Sequence, residues 1–155
     1  MIKKLLFTTA LLSSCNLWAE VTIDTPFARA VPPGQLNSAA FMELHNHGDN
    51  ELSLVGASSP VAEHVELHTH TNDNGVMRMR QIEKITLPKE TTVSLKPGGL
   101  HIMLIGLQES LNVGKVINLS LQFSDGTTDI IEVPVKHVTP MKKHHKMHKM
   151  GPKSE

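Results

Sequence analysis

The sequence predicts an all-β protein, a β-sandwich or Greek-key barrel of about nine strands that ends in a disordered C-terminal tail. Three observations predict it. Apolar and polar residues alternate with period two over many short stretches; clusters of Gly, Pro, Asn, Asp and Ser interrupt the alternation; no stretch carries apolar residues at helical spacing. A length of 155 residues suits one core with a short appendage. With 39% hydrophobic and 19% charged residues, the composition is that of a globular chain rather than a disordered one.

In chain order, strands are expected at Val21 to Ala30, Ser38 to His45, Leu52 to Ala57, His64 to Thr71, Val76 to Ile82, Thr91 to Leu95 and Leu100 to Leu107. The breaks are Pro32-Pro33-Gly34, Asn46 to Asn50, Ser58 to Pro60, Asn72 to Gly75, Pro88 and Pro97-Gly98-Gly99, residues that supply turn conformations or withhold a ladder donor. A closing hairpin is the clearest element. Ile117, Leu119, Leu121 and Phe123 alternate with Asn118, Ser120 and Gln122, Ser124-Asp125-Gly126 reverses the chain, and Ile131, Val133 and Val135 alternate on the return.

Flanking segments divide the chain in three. Residues 1–19 carry Lys3 and Lys4, the apolar run Leu5 to Leu12 and a small, polar stretch from Ser13 to Ala19, the three regions of an export signal. Cleavage after Ala19 would remove the only Cys, Cys15, and the only Trp, Trp18, and would start the chain at Glu20. Leu12-Ser13-Ser14-Cys15 also fits a lipoprotein cleavage box that would leave a lipidated Cys15, and an uncleaved anchor is a third alternative, though the run is short for a bilayer span. Each places the domain outside the cytoplasm of a bacterium, in the periplasm. Residues 20–135 form the domain, with 7 basic and 14 acidic residues; residues 136–155 reverse the balance, with 6 basic and 1 acidic. That tail has no apolar periodicity and two Pro, so it buries too little surface to offset the entropy of ordering it.

Ten His and eight Met in so short a chain combine a borderline and a soft metal ligand. In the hairpin around Asn72-Asp73-Asn74-Gly75, a register with Thr71 opposite Val76 sets His68 opposite Met79, with Cβ atoms about 4.5–5.5 Å apart, close enough to share one ion. A two-residue turn at Asn74-Gly75 would instead set Asp73 opposite Val76 and His70 opposite Met79; the first register is preferred and His70 is the reserve. His101 and Met103, two apart in a strand, project from one face. His68, Met79, His101 and Met103 together offer two imidazoles and two thioethers. Such an uncharged, soft set favours monovalent copper over zinc, magnesium or calcium, and it contains no thiolate that an oxidising compartment could convert to a disulfide.

These residues resemble a known family, the periplasmic copper chaperones called PCu(A)C, marked by a His, ten residues, a Met, twenty-one residues and then His-x-Met. His68, Met79 and His101-Ile102-Met103 reproduce that spacing, and the flanks Val65-Glu66-Leu67-His68, Gly75-Val76-Met77-Arg78-Met79-Arg80 and Lys96-Pro97-Gly98-Gly99-Leu100-His101-Ile102-Met103-Leu104 are also similar. The resemblance covers nearly all of residues 20–135. It implies a cupredoxin-like β-barrel that carries Cu(I) to the binuclear copper centre of cytochrome c oxidase, with the copper-bearing subunit of the oxidase and Sco-type copper proteins as partners. The His- and Met-rich extension of many members is matched by the tail, where His137, Met141, His144, His145, Met147, His148 and Met150 form a candidate auxiliary site for Cu(I) through sulfur or Cu(II) through nitrogen. Six Lys oppose cation capture there, and a basic arm that docks on an acidic partner or an anionic membrane is the competing reading. Where some relatives carry a Met directly after the first His, this chain has Thr69.

Without the resemblance, Met79 and Met103 would more often be packing residues, and Met42 and Met77 are read as such. His45 and His47 flank a turn and are read as solvated, while His64 and His70 share the strand face of His68 and are candidates to assist transfer. A blue-copper electron carrier needs a Cys thiolate beside two His, and a chain starting at Glu20 has none; a thiol–disulfide enzyme falls on the same ground. A copper oxygenase of the kind that ligates through a terminal His amine would need His where Glu20 stands, and no Gly-x-Ser-x-Gly elbow supports a hydrolase. The expectation is a non-enzymatic Cu(I) metallochaperone, with a copper buffer serving tolerance as the alternative, since both need the same ligands. Four Phe, one Trp, no Tyr and a formal net charge of zero make nucleic acid an unexpected partner. Membrane contact is expected only through a partner or through lipidation at Cys15.

Overall fold

The computed structural model describes residues 20–138, which form ten strands and, among the described residues, no helix. In chain order these are β1 (Val21–Arg29), β2 (Asn37–Asn46), β3 (Leu52–Ser58), β4 (Ala62–Asp73), β5 (Val76–Gln81), β6 (Ile85–Leu87), β7 (Thr91–Leu95), β8 (His101–Leu107), β9 (Val116–Phe123) and β10 (Thr128–Lys136). Nine match the expected strands within a few residues. The tenth, β6, has only Ile85 and Leu87 pointing inward, and three residues are too few to display a period.

Alternation creates the core. Ile117, Leu119, Leu121 and Phe123 of β9 are buried together with Val133 and Val135 of β10, Leu52 and Leu54 of β3, and Ile85 and Leu87 of β6. Facing them are Ala40, Met42 and Leu44 of β2, Leu67 of β4, Leu95 of β7, and Ile102 and Leu104 of β8, all in one hydrophobic cluster. Each such Leu or Ile contributes about 1.5–3 kcal/mol by leaving water. The β9–β10 turn forms where Asp125 and Gly126 predict it: the Gly126 amide donates to the Phe123 carbonyl at 3.0 Å and the Thr127 amide to Asp125 Oδ1 at 2.9 Å.

The strand order is β5-β4-β8-β2-β1-β10-β9-β3-β6, with β7 paired to β2. Its ends, β5 and β6, do not pair with each other, so the architecture is an open two-layered sandwich rather than a closed barrel. The layers join at a short parallel contact in which Ala28 faces Val135 and Arg29 faces Lys136. Lys136, placed by its charge at the start of the tail, therefore belongs to the domain: its carbonyl accepts from the Ala30 amide at 2.9 Å, and backbone pairing overrides composition there.

Two features of the β2 layer position the site. First, β7 and β8 run end to end along the same edge of β2, and between Leu95, opposite Met42, and Ile102, opposite Ala40, the chain makes an excursion through Pro97-Gly98-Gly99 while β2 advances only past Phe41. Gly98 has φ +81, which the excursion requires and glycine tolerates. Second, β5 is an edge strand whose six residues are all exposed. Met42 is a core residue as expected, but Met77, on β5, is 55% exposed; with one ladder partner and no layer above it, that strand offers nothing for the side chain to pack against.

Candidate metal site

The β4–β5 hairpin turns at Asn74-Gly75, whose φ values of +50 and +86 are those of a type I′ turn. Such a turn matches the twist of the flanking strands, and Asn and Gly are the residues that adopt it at least cost. Asp73 therefore faces Val76, His70 faces Met79, and His68 faces Gln81. The register preferred from sequence, with His68 opposite Met79, is thus corrected by two positions. Because the slip is even, every side chain keeps its face, and His68 becomes the diagonal neighbour of Met79, at the roughly 7–8 Å that long side chains still bridge.

Across the other flank of β4, His68 lies directly opposite His101 of β8 and Glu66 opposite Met103, while Ala39 of β2 faces Met103 from the far side. The His68 and His101 ring centroids are 5.8 Å apart, those of His70 and His101 5.0 Å. One outer face of the β2 layer thus gathers three imidazoles and two thioethers. The small side chain of Ala39 and the excursion at Pro97-Gly98 leave a hollow of about 170 Å³ lined by His70, Met79, His101 and Met103, with Phe41 and Arg29 also at its walls. Met79 is 48% exposed, whereas His101 is 2% exposed.

Hydrogen bonding determines which ring nitrogens are free. His101 Nδ1 donates to the Gly99 carbonyl at 2.9 Å, so Nε2 keeps its lone pair, and that atom is buried without a partner. His68 Nε2 donates to Glu66 Oε2 at 2.8 Å, and its Nδ1 is likewise buried without a partner. These tautomers are assigned from the bond network. Two orphaned acceptors, each at a cost of about 1–3 kcal/mol, sit beside two thioethers; the carboxylate–imidazole pair is the arrangement that orients a ligating histidine. Burial pushes the His101 pKa below the ordinary imidazole value; the Gly99 bond opposes this, and His70, His68 and Arg29 add to it by charge. A neutral imidazole is the ligating form.

His64 lies two residues beyond Glu66 on β4, opposite Ile105 and near Glu63, away from the hollow. His45 and His47 hydrogen-bond the hydroxyls of Thr92 and Thr22. In the tail set, His137 is exposed just after β10, while Met141, His144, His145, Met147, His148 and Met150, like the export segment, lie outside the described residues. Glu66, the Gly99 carbonyl and the Ala39–Phe41 wall are contributions that sequence reasoning missed; only Glu66 left a signal, its spacing of two from His68 on a strand. Among the described residues no three His, Cys, Asp or Glu side chains are arranged to hold a metal ion by themselves, so an ion held here would need the sulfurs.

A family model described as "LpqE-like: Putative lipoprotein LpqE-like" matches residues 21–135. A protein of Leifsonia xyli subsp. xyli named as a lipoprotein is 37% identical over 117 residues, covering 75% of this chain and 69% of its own length. An uncharacterized protein of Rickettsia prowazekii is 32% identical over 127 residues, covering 81% and 67%. Among solved structures, apo-DR1885 from Deinococcus radiodurans matches with a TM-score of 0.62 and 32% identity over 89% of this chain and 93% of that one. The CuI form of DR1885 matches with a TM-score of 0.60 and 36% identity, covering 74% and 78%. The copper-bound PCuAC domain from PmoF2 shares the fold, with a TM-score of 0.66 and 24% identity over 77% of this chain and 94% of that domain.

Proposed function

Because the chain belongs to the LpqE-like family, the PCu(A)C family of the sequence resemblance, we propose that it is an exported Cu(I) metallochaperone, with copper as its cargo and no reaction of its own. The observation that carries this reading is the pair of buried, partnerless nitrogens, His68 Nδ1 and His101 Nε2, on the face that also bears Met79 and Met103. Imidazole and thioether donors suit a soft monovalent ion, and all four are neutral, so the ion's single positive charge has the Glu66 carboxylate as its nearby counterweight through His68. DR1885, 36% identical, has been solved with CuI, and that likeness supports the same cargo here.

The destination we propose is the binuclear copper centre of cytochrome c oxidase, in concert with Sco-type proteins, on the strength of the resemblance. An exposed Met79 on an edge strand gives an acceptor direct access to one ligand. Export through residues 1–19 to the periplasm, with lipidation at Cys15 as the anchored form, is supported by the lipoprotein name of the Leifsonia relative.

A competitive Cu(I) titration against a chromogenic chelator tests the cargo. The full chain and a chain ending at Val138 should each hold one tight equivalent, weakened roughly tenfold or more by Met79→Ala or Met103→Ala. Tight binding that is lost with the tail and ignores both substitutions would move the cargo site to residues 139–155. A deletion strain tests the destination: impaired oxidase assembly under limiting copper is expected, whereas sensitivity to excess copper alone would make the protein a buffer.

A further inference from the structure

The site holds one imidazole more than the four-ligand set uses. His70 faces Met79 across the β4–β5 ladder and lines the hollow; His68 does not line it, is tied to Glu66, and has its Nδ1 buried without a partner. The Gly99 carbonyl that accepts from His101 Nδ1 also lies 3.4 Å from His70 Nδ1. With that weak bond His70 takes the same tautomer as His101, its Nε2 lone pair available. Two overlapping donor sets follow. The inner one is His68 with His101, Met103 and Met79; the outer one replaces His68 by His70.

Resting on the copper reading, we propose that His70 is an exchange ligand, the donor through which Cu(I) enters and leaves the deeper site. His101 and Met103 belong to both sets and hold the ion while one imidazole replaces another. In the step the bond from copper to His68 Nδ1 breaks as a bond to His70 Nε2 forms. Copper remains monovalent, both imidazoles remain neutral, and no proton or electron moves, because each ring keeps its N–H on Glu66 or Gly99. His68 is left as it is seen here, bonded to Glu66 with Nδ1 free, and the ion now sits in the open hollow beside Met79, where an acceptor can supply the next donor. Without His70, an ion in the inner set would have to lose His68 before another imidazole could take its place.

Stopped-flow transfer of Cu(I) from the loaded full chain to a bidentate chromogenic chelator, paired with the equilibrium titration, tests this. An exchange ligand speeds loading and unloading alike, so its removal shows in rates more than in affinity. His70→Ala is expected to transfer roughly tenfold slower or worse while losing far less affinity than His68→Ala. His70→Met, which restores a soft donor at the same place, should recover most of the rate. Transfer from His70→Ala as fast as from the wild type would overturn the proposal. So would an affinity loss equal to that of His68→Ala, which would make His70 a resident ligand. Failure of the wild type to bind Cu(I) tightly would instead remove the copper reading itself.

Discussion

At the scale of single residues, the informative atoms are the two ring nitrogens left buried without partners. A folded domain carries few such groups because each one forgoes the hydrogen bonds it had in water, and among the described residues both belong to His68 and His101, directly opposite each other on β4 and β8. The depressed pKa of His101 ties this site to acid sensitivity, and the sign is definite. A histidine whose folded-state pKa lies below its unfolded value of 6.5 contributes stability that is fully present above pH 6.5 and is lost as the pH falls through the folded value. Thermal unfolding of the copper-free protein should therefore show a midpoint that drops on acidification below pH 6.5, and the drop should be shallower in His101→Gln. The same depression delays proton competition: the His101 share of Cu(I) affinity should persist to below pH 6.5 and weaken beyond it, which titrations at pH 7.5, 6.5 and 5 would register. An affinity constant down to pH 5 would mean that protons do not compete for the ion's ligands in this range.

At the scale of elements, the β4–β5 hairpin decides which histidine meets Met79, and its register depends on two residues. Gly75 at φ +86 has no atoms within reach of an added Cβ, so the strain of Gly75→Ala is conformational, about 1 kcal/mol. Because every β5 residue is exposed and the strand pairs only with β4, that loss should fall on the hairpin rather than on the whole domain. Hydrogen exchange should accelerate at the amides of residues 72–81 while the β9–β10 amides stay protected, and Cu(I) affinity should fall through Met79. Uniform acceleration across the sheet would show instead that β5 unfolds with the core. The companion element is the β7–β8 excursion, which delivers the Gly99 carbonyl to His101 and opens the hollow opposite Ala39.

At the scale of the molecule, the sandwich separates two tasks by face. The inward faces of both layers carry the Leu, Ile and Val that stabilise the fold, and the outward face of the β2 layer carries the donors. On β8 the two interleave: Ile102 and Leu104 are fully buried in the core, while His101 and Met103 point the other way. Strand alternation therefore lets candidate ligands be placed without removing a core residue. The acidic balance of residues 20–135 against the basic balance of residues 136–155 is the remaining large-scale asymmetry, and the comparison of the full chain with one ending at Val138 assigns copper binding to one or the other.

Period-two alternation and the placement of Gly, Pro, Asn and Asp were enough to locate nine of the ten strands, because a half-buried strand must write its burial into every second residue. The spacing of His68, Met79, His101 and Met103 was equally legible, since it is a property of the chain alone. Which side chains oppose one another was not. A hairpin's register depends on whether two or four residues turn, and both options keep the same alternation, so the sequence pattern could not separate His68 from His70 as the partner of Met79. The pairing of His68 with His101, the orphaned nitrogens, the Glu66 bond and the hollow beside Ala39 join residues far apart in the chain or depend on how side chains pack. Such contacts arise only when long-range ladders form, and they leave no period to read.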